Sequence, residues 1–352
     1  MKSKNLNLSF KRKVANRLSY IADFLLVNGD FVDILGLFSG KMGIAIFLYQ
    51  YSRYKGNKKF ENHAGWMIDE IYKNINSKTP VDFEEGLMGI GWGIEYLVRN
   101  AFVVTNTDET LAEIDITTYR SMVQQPILTK NSNDLFGYGF YLQARLHNRL
   151  NDDKNLNTLI KKQQLIYLTD ECERLLILKR YLDFNIMSLS LRTLNSIAWF
   201  QIEMHKSGLF PLKVNKLLRH LPSELEFTLK TNDAPVEEIV LYCLIKSIVD
   251  LINDIELSKK YMDYASLLQE KWHDMKPDEN TFVNIFTSLA WYKLIYAPYL
   301  KDCNFLSKSP EKLLGIIDNE DFWCILFDRV NKDVTKLTEL TGLGMGLLNE
   351  VI

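Results

Sequence analysis

This 352-residue chain lacks long apolar runs, paired cysteines and an excess of one charge. No uninterrupted apolar stretch approaches the roughly 20 residues that span a bilayer, so no transmembrane segment is expected. The basic start (Lys2, Lys4, Lys11, Arg12, Lys13, Arg17) has no apolar core behind it and does not read as a signal peptide. The net charge of -2 offers no concentrated basic field, and nucleic acid is not expected as a partner. The cysteines are Cys172, Cys243, Cys303 and Cys324, far apart and without a CxxC pair. A disulfide framework is therefore not expected, and a reducing cytoplasm is the expected compartment. With eight prolines and no low-complexity stretch, long linkers are not expected either. Hydrophobic residues at 47% and charged residues at 24% suit a globular protein with a sizeable core.

What the chain does have is self-similarity near fifty residues. Ser39–Leu48 (SGKMGIAIFL) resembles Met88–Leu97 (MGIGWGIEYL), and aligning Gly40 with Gly89 gives an offset of 49 residues. Asp134–Leu142 (DLFGYGFYL) follows about 45 residues later. Gly342, Gly344 and Gly346 near the end repeat the spacing of Gly89, Gly91 and Gly93. Three weaker apolar segments fill the interval: Met187–Met204, Val236–Ile252 and Thr281–Ile295. Their spacing is helical rather than alternating.

The segments between repeats carry one apolar stripe and one charged face. In 57–76 the stripe is Phe60, Ala64, Met67, Ile68 and Ile71. Segments 6–26, 107–122, 155–182, 211–229, 258–275 and 310–331 have the same character. A helix apolar all round must be buried on all sides, whereas a helix with one stripe covers others from outside. Seven alternations of the two types predict an all-α fold, an α/α toroid of about seven inner and seven outer helices, formed by 1–352 as a single domain. Glycine at the inner-helix starts fits close backbone approach, since inside a helix it costs roughly 1 kcal/mol relative to Ala.

The run Gly36–Ala45 (GLFSGKMGIA), the run Gly86–Leu97 (GLMGIGWGIEYL) and the closing Gly342–Gly346 (GLGMG) resemble repeats of the lanthionine synthetase C-like (LanC-like) family. The resemblance covers most of the chain in spacing, and is specific in sequence over 36–97 and 338–348. It implies a seven-fold α/α toroid and a place in peptide modification. It also implies one catalytic zinc, held by a cysteine in a Trp-Cys-Tyr-Gly motif and by a Cys-His pair in the next repeat. The zinc would bind a substrate cysteine as thiolate for attack on a dehydrated Ser or Thr, which needs soft ligands and an open position. The corresponding repeats here, starting near Val236 and Asn280, contain neither motif, and no cysteine is immediately followed by His. No metal ligands are assigned and no cofactor is expected.

For Cys243, a small residue inside its apolar segment, a core role is expected. His63, His147, His205, His220 and His273 are expected at the surface or at helix ends. Acids gather before the inner segments: Asp82, Glu84 and Glu85 before the second, Asp134 at the third, Asp233, Glu237 and Glu238 at the fifth, Asp278 and Glu279 at the sixth. Acids there cap helix N-termini and complement the dipole, which is their expected role. Two on one rim could also serve as general acid and base in a glycosidase. Glu84, Glu85, Glu95 and Asp134 are the catalytic candidates, Glu95 because it sits one turn inside its helix. Trp92, Tyr96 and Tyr138 are the candidates to line a peptide or sugar groove, with core packing as the alternative.

The leading expectation is thus a LanC-like protein without zinc-dependent cyclase activity, a pseudoenzyme that binds a peptide or a peptide-modifying partner enzyme. A carboxylate enzyme on the same toroid, such as a glycosidase, is the alternative. A thioether-forming cyclase with atypical ligands is a further one.

Overall fold

In a computed structural model the chain is described over residues 2–38, 40–124, 132–147, 149–152, 154–177, 189–231, 234–274, 278–300 and 310–352. Among these residues there are sixteen α-helices and no strand. The all-α expectation holds at that level. The helices fall into two compact units: Met1–Thr110, Pro277–Leu294 and Asn304–Ile352 form unit 1, and Leu111–Lys276 with Ile295–Cys303 form unit 2.

Unit 1 contains α1 (Lys2–Asn28), α2 (Lys41–Lys55), α3 (Lys58–Asn74), α4 (Leu87–Arg99), the single turn α5 (Thr107–Thr110), most of α13 (Glu279–Ile295), α14 (Pro310–Asp318), α15 (Glu320–Lys332) and α16 (Leu337–Asn349). In α2 every residue from Lys41 to Tyr49 is buried, and in α4 every residue from Leu87 to Ile94. By contrast α3 buries Phe60, Ala64, Met67, Ile68 and Ile71, the stripe read from sequence. Helices α16, α2 and α4 pack side by side; α1 lies on α16 and α2, α3 lies on α2, and α14 packs against α1.

Unit 2 repeats the plan with α6 (Ala112–Gln124), α7 (Ser132–Leu146), α8 (Leu156–Leu176), α9 (Leu191–Ser207), α10 (Pro211–Thr231), α11 (Pro235–Leu251) and α12 (Ile255–Asp274). Helices α7, α9 and α11 form one row and α8, α10 and α12 the other, joined by the pairs α7–α8, α9–α10 and α11–α12. From Thr193 to Ile202, α9 is wholly buried. Covering helices start where asparagine accepts a backbone N–H, at Asn57 before α3, Asn155 before α8 and Asn319 before α15.

All seven apolar segments are helices, with shifted boundaries. The covering segment 107–122 is two helices, α5 and α6, and 310–331 is broken into α14 and α15 at Asn319. The start of the fourth apolar segment at Met187 and the ends of covering segments at Leu182 and Met275 lie outside the described residues.

The repeat register differs from the 49-residue offset. Lys41 and Met42 donate their backbone N–H to Ile34 and Leu35, and Leu87 and Met88 donate theirs to Pro80 and Val81. The same bonds recur 46 residues apart (41 to 87, 42 to 88), so Gly40 corresponds to Gly86 and Gly43 to Gly89. In the third and last repeats the glycines are not helix starts. Gly139 lies mid-helix in α7, and Gly342, Gly344 and Gly346 lie mid-helix in α16.

Candidate functional site

The two turns that launch α2 and α4 are built alike. A Cβ at Gly43 would stand 2.2 Å from the carbonyl oxygen of Leu37, and one at Gly89 would stand 2.2 Å from that of Phe83. A Cβ at Gly40 would meet Ile34 O at 2.5 Å, and one at Gly86 would meet Pro80 O at 2.1 Å. Each turn folds its backbone onto the first turn of its helix and takes up two N–H groups that a helix start leaves without an intrahelical partner. The turns also touch each other. Phe38 N–H donates to Glu84 O over 2.9 Å, and a Cβ at Gly36 would fall 2.2 Å from the carbonyl carbon of Glu85.

This back-to-back contact lines up aromatic rings from three parts of unit 1. Trp291 of α13 meets Phe38 edge-on at 5.3 Å, Phe38 meets Phe83 at 6.0 Å, and Phe83 meets Trp92 at 6.0 Å. Trp92 then stacks on Tyr96, centroids 5.5 Å apart and planes 16° apart. Phe83 and Trp92 are buried, while Phe38, Tyr96 and Trp291 are half-buried. The Tyr96 hydroxyl accepts a hydrogen bond from Gln50 Nε2 at 2.7 Å. Burial raises its pKa, against the opposing pull of Gln50, Arg99 and Arg53. A run of rings with partly open ends can stack planar or apolar groups of a ligand.

The sequence candidates divide between the units. Glu95 is half-buried in α4, three residues from Trp92 and adjacent to Tyr96. Glu84 is half-buried and Glu85 exposed in the turn before α4. Asp82 Oδ1 accepts the backbone N–H groups of Glu84 (2.9 Å) and Glu85 (2.7 Å), so this acid shapes the turn. Asp134 and Tyr138 belong to α7 in unit 2. Tyr138 is buried and its hydroxyl donates to Ser121 Oγ at 3.0 Å, so it is core there.

Most other acids have structural employment. Asp278 caps α13 by accepting Thr281 N–H at 2.8 Å, and its bonds to the Thr281 backbone and side chain hold the carboxyl below the usual range. Glu238 is buried and pairs with Lys271 at 2.8 Å. Glu237 is half-buried in the first turn of α11, and its carbonyl accepts from Asn195 Nδ2. Asp233 and Cys303 lie outside the described residues.

Among the described residues, the side chains form no set that fits the zinc the family resemblance implies. Cys243 is buried in α11 and Cys172 in α8, where burial pushes the Cys172 thiol far up, while Cys324 is exposed on α15. Among the described residues no three His, Cys, Asp or Glu side chains gather as a metal site.

Two polar constructions escape a reading by segments, because their members are distant in sequence. His63 Nε2 lies 3.2 Å from Asp30 Oδ1, with the imidazole stacked on Trp66. In unit 2 Asp115 of α6 receives Arg145 at 2.8 Å, Lys161 at 2.8 Å and the Tyr141 hydroxyl at 2.6 Å. Burial alone would raise the Asp115 pKa, but the hydrogen bond and charge of Arg145, with Lys161, bring it below the usual range. No family model and no curated protein matches the chain.

Proposed function

We propose that this chain is a LanC-like α/α toroid protein that binds a peptide, or a partner enzyme, in a peptide-modification system, and that it does so without zinc-dependent cyclisation. The closing of the two-layered rows into one ring of seven inner and seven outer helices belongs to the same proposal. The observation that carries it is the turn built twice, with the same backbone bonds and the same glycine contacts 46 residues apart. Such repetition supports a repeat architecture of the kind that the glycine-rich runs resemble. The aromatic run from Trp291 to Tyr96 is the proposed peptide contact, since rings offer a large contact area to apolar side chains and to peptide planes.

A glycosidase-like reading would draw on Glu84, Glu85, Glu95 and Asp134; Asp82, Asp278 and Glu238 serve in a turn, a cap and an ion pair. The cyclase reading would need soft ligands brought beside a histidine.

The test has two arms. The purified protein is incubated with zinc, passed through gel filtration and assayed for metal, then offered a dehydrated, cysteine-bearing peptide. The expected result is no stoichiometric zinc and no thioether by mass spectrometry, with saturable quenching of tryptophan fluorescence that weakens in Trp291→Phe. About one retained zinc per chain, or thioether product, would overturn the non-cyclase reading. Absence of any saturable signal would overturn the peptide-binding one.

A further inference from the structure

Helix α6 is apolar on two faces. One face carries Ile114, Thr118 and Met122, all buried in unit 2. The other carries Ile116, Tyr119 and Val123, which are 50%, 46% and 61% exposed. Their spacing, three and then four residues, is the heptad seam by which one helix packs along another. Exposed apolar residues scattered singly are ordinary, but three in register on one helix form a stripe.

The charges beside the stripe identify what would cover it. Glu113 and Arg120 are both exposed, seven residues apart and on the same flank of the seam. Neither has an ion-pair partner among the described residues. Two copies of α6 laid parallel would carry this flank on opposite sides of the seam, so Glu113 and Arg120 of one copy would not meet Arg120 and Glu113 of the other. Laid antiparallel about a two-fold axis midway between these positions, Glu113 faces the partner's Arg120, and Arg120 faces the partner's Glu113. Flanking charges of this kind select partner and direction in helix pairing, and an isologous contact requires a surface complementary to itself.

We propose that a second copy of this chain covers the exposed face of α6, forming a two-fold antiparallel helix pair with Ile116 nearest its axis, Tyr119 and Val123 further along its seam, and reciprocal Glu113–Arg120 ion pairs at its edge. One short helix presents less than the roughly 800 Å² per partner of a standard stable interface. Association is therefore weak and concentration-dependent, and it loosens as salt screens the edge pairs. The pairing does not depend on the peptide-binding role of unit 1.

The test is sedimentation velocity on the full chain over a concentration series, at low and high salt. The wild type should shift from monomer to dimer with concentration, and less so at high salt. Arg120→Glu alone and Glu113→Arg alone should each remain monomeric, with unchanged circular dichroism. The double variant Glu113→Arg with Arg120→Glu should dimerise again, and an equimolar mixture of the two single variants should form a heterodimer. A wild type that stays monomeric at every concentration, or a dimer indifferent to the single substitutions, would overturn the proposal. So would a double variant that fails to recover.

Discussion

At the scale of single residues, glycine stands in three different settings, and each gives a different response to alanine. Gly43 and Gly89 are pressed against carbonyl oxygens, where an added methyl would sit 2.2 Å from the atom it meets. Backbone cannot swing aside as a flexible side chain can, so Gly43→Ala or Gly89→Ala should each cost about 1–3 kcal/mol or more. Gly56 ends α2 with φ at 68° and has open space around it, so its alanine variant is strained by conformation alone, by about 1–2 kcal/mol. Gly315 lies inside α14, exposed and with nothing near, and Gly315→Ala should stabilise by about 1 kcal/mol. Urea denaturation of the four variants tests this ordering, including its change of sign. Asp115→Asn belongs to the same scale. It withdraws the carboxylate facing buried Arg145 and Lys161, and should cost about 3–5 kcal/mol by the same measurement.

Among the elements, α10 shows how one helix repairs a defect in another. Pro222 stands inside α10 and has no N–H to give the carbonyl four residues back, that of Leu218. The buried Tyr261 hydroxyl of α12 donates to that carbonyl at 2.7 Å. Tyr261→Phe should therefore cost about 1–3 kcal/mol, since it leaves a buried acceptor unmatched. In a Pro222→Ala background the helix supplies its own donor, and the same substitution should cost distinctly less. A double-mutant cycle by thermal or urea unfolding measures the difference, and strict additivity would count against the coupling. The proline was visible in the sequence. Its compensation was not, because the hydroxyl arrives from 39 residues further along the chain (222 to 261).

For the molecule as a whole, acid should be the weak side. Asp115, Glu173, Asp254, Asp278 and Asp333 all have carboxyl pKa values below their ordinary ones, through cations, helix-start N–H groups or hydroxyls. The unfolded chain then takes up protons before the folded one does. The stabilisation is complete above the ordinary carboxylate range and is lost as pH falls through the lowered values. Glu350, raised by burial against the pull of Lys293, acts in the opposite direction. Thermal unfolding between neutral pH and about pH 3 should show a falling Tm, and Asp115→Asn should flatten that fall. The alternation of wholly buried and one-striped helices was legible in the sequence because composition alone separates them, as α2 and α3 illustrate. The glycine register was not, since Gly40 and Gly89 look equivalent in a local alignment. Equivalence is decided by a carbonyl six residues back that lies against Gly43 and Gly89. Of the candidate site, Trp92, Tyr96 and Glu95 were readable from their spacing on α4, whereas Phe38, Phe83 and Trp291 join them only through the packed turns. The sequence by itself separated deeply buried helices such as α2, α4 and α9 from one-striped helices such as α3, because that follows from the hydrophobicity of each segment. Tertiary structure alone decided which glycines correspond, which acids are spent in caps and ion pairs and which rings line up, because those depend on atoms distant in the chain meeting within a few ångströms.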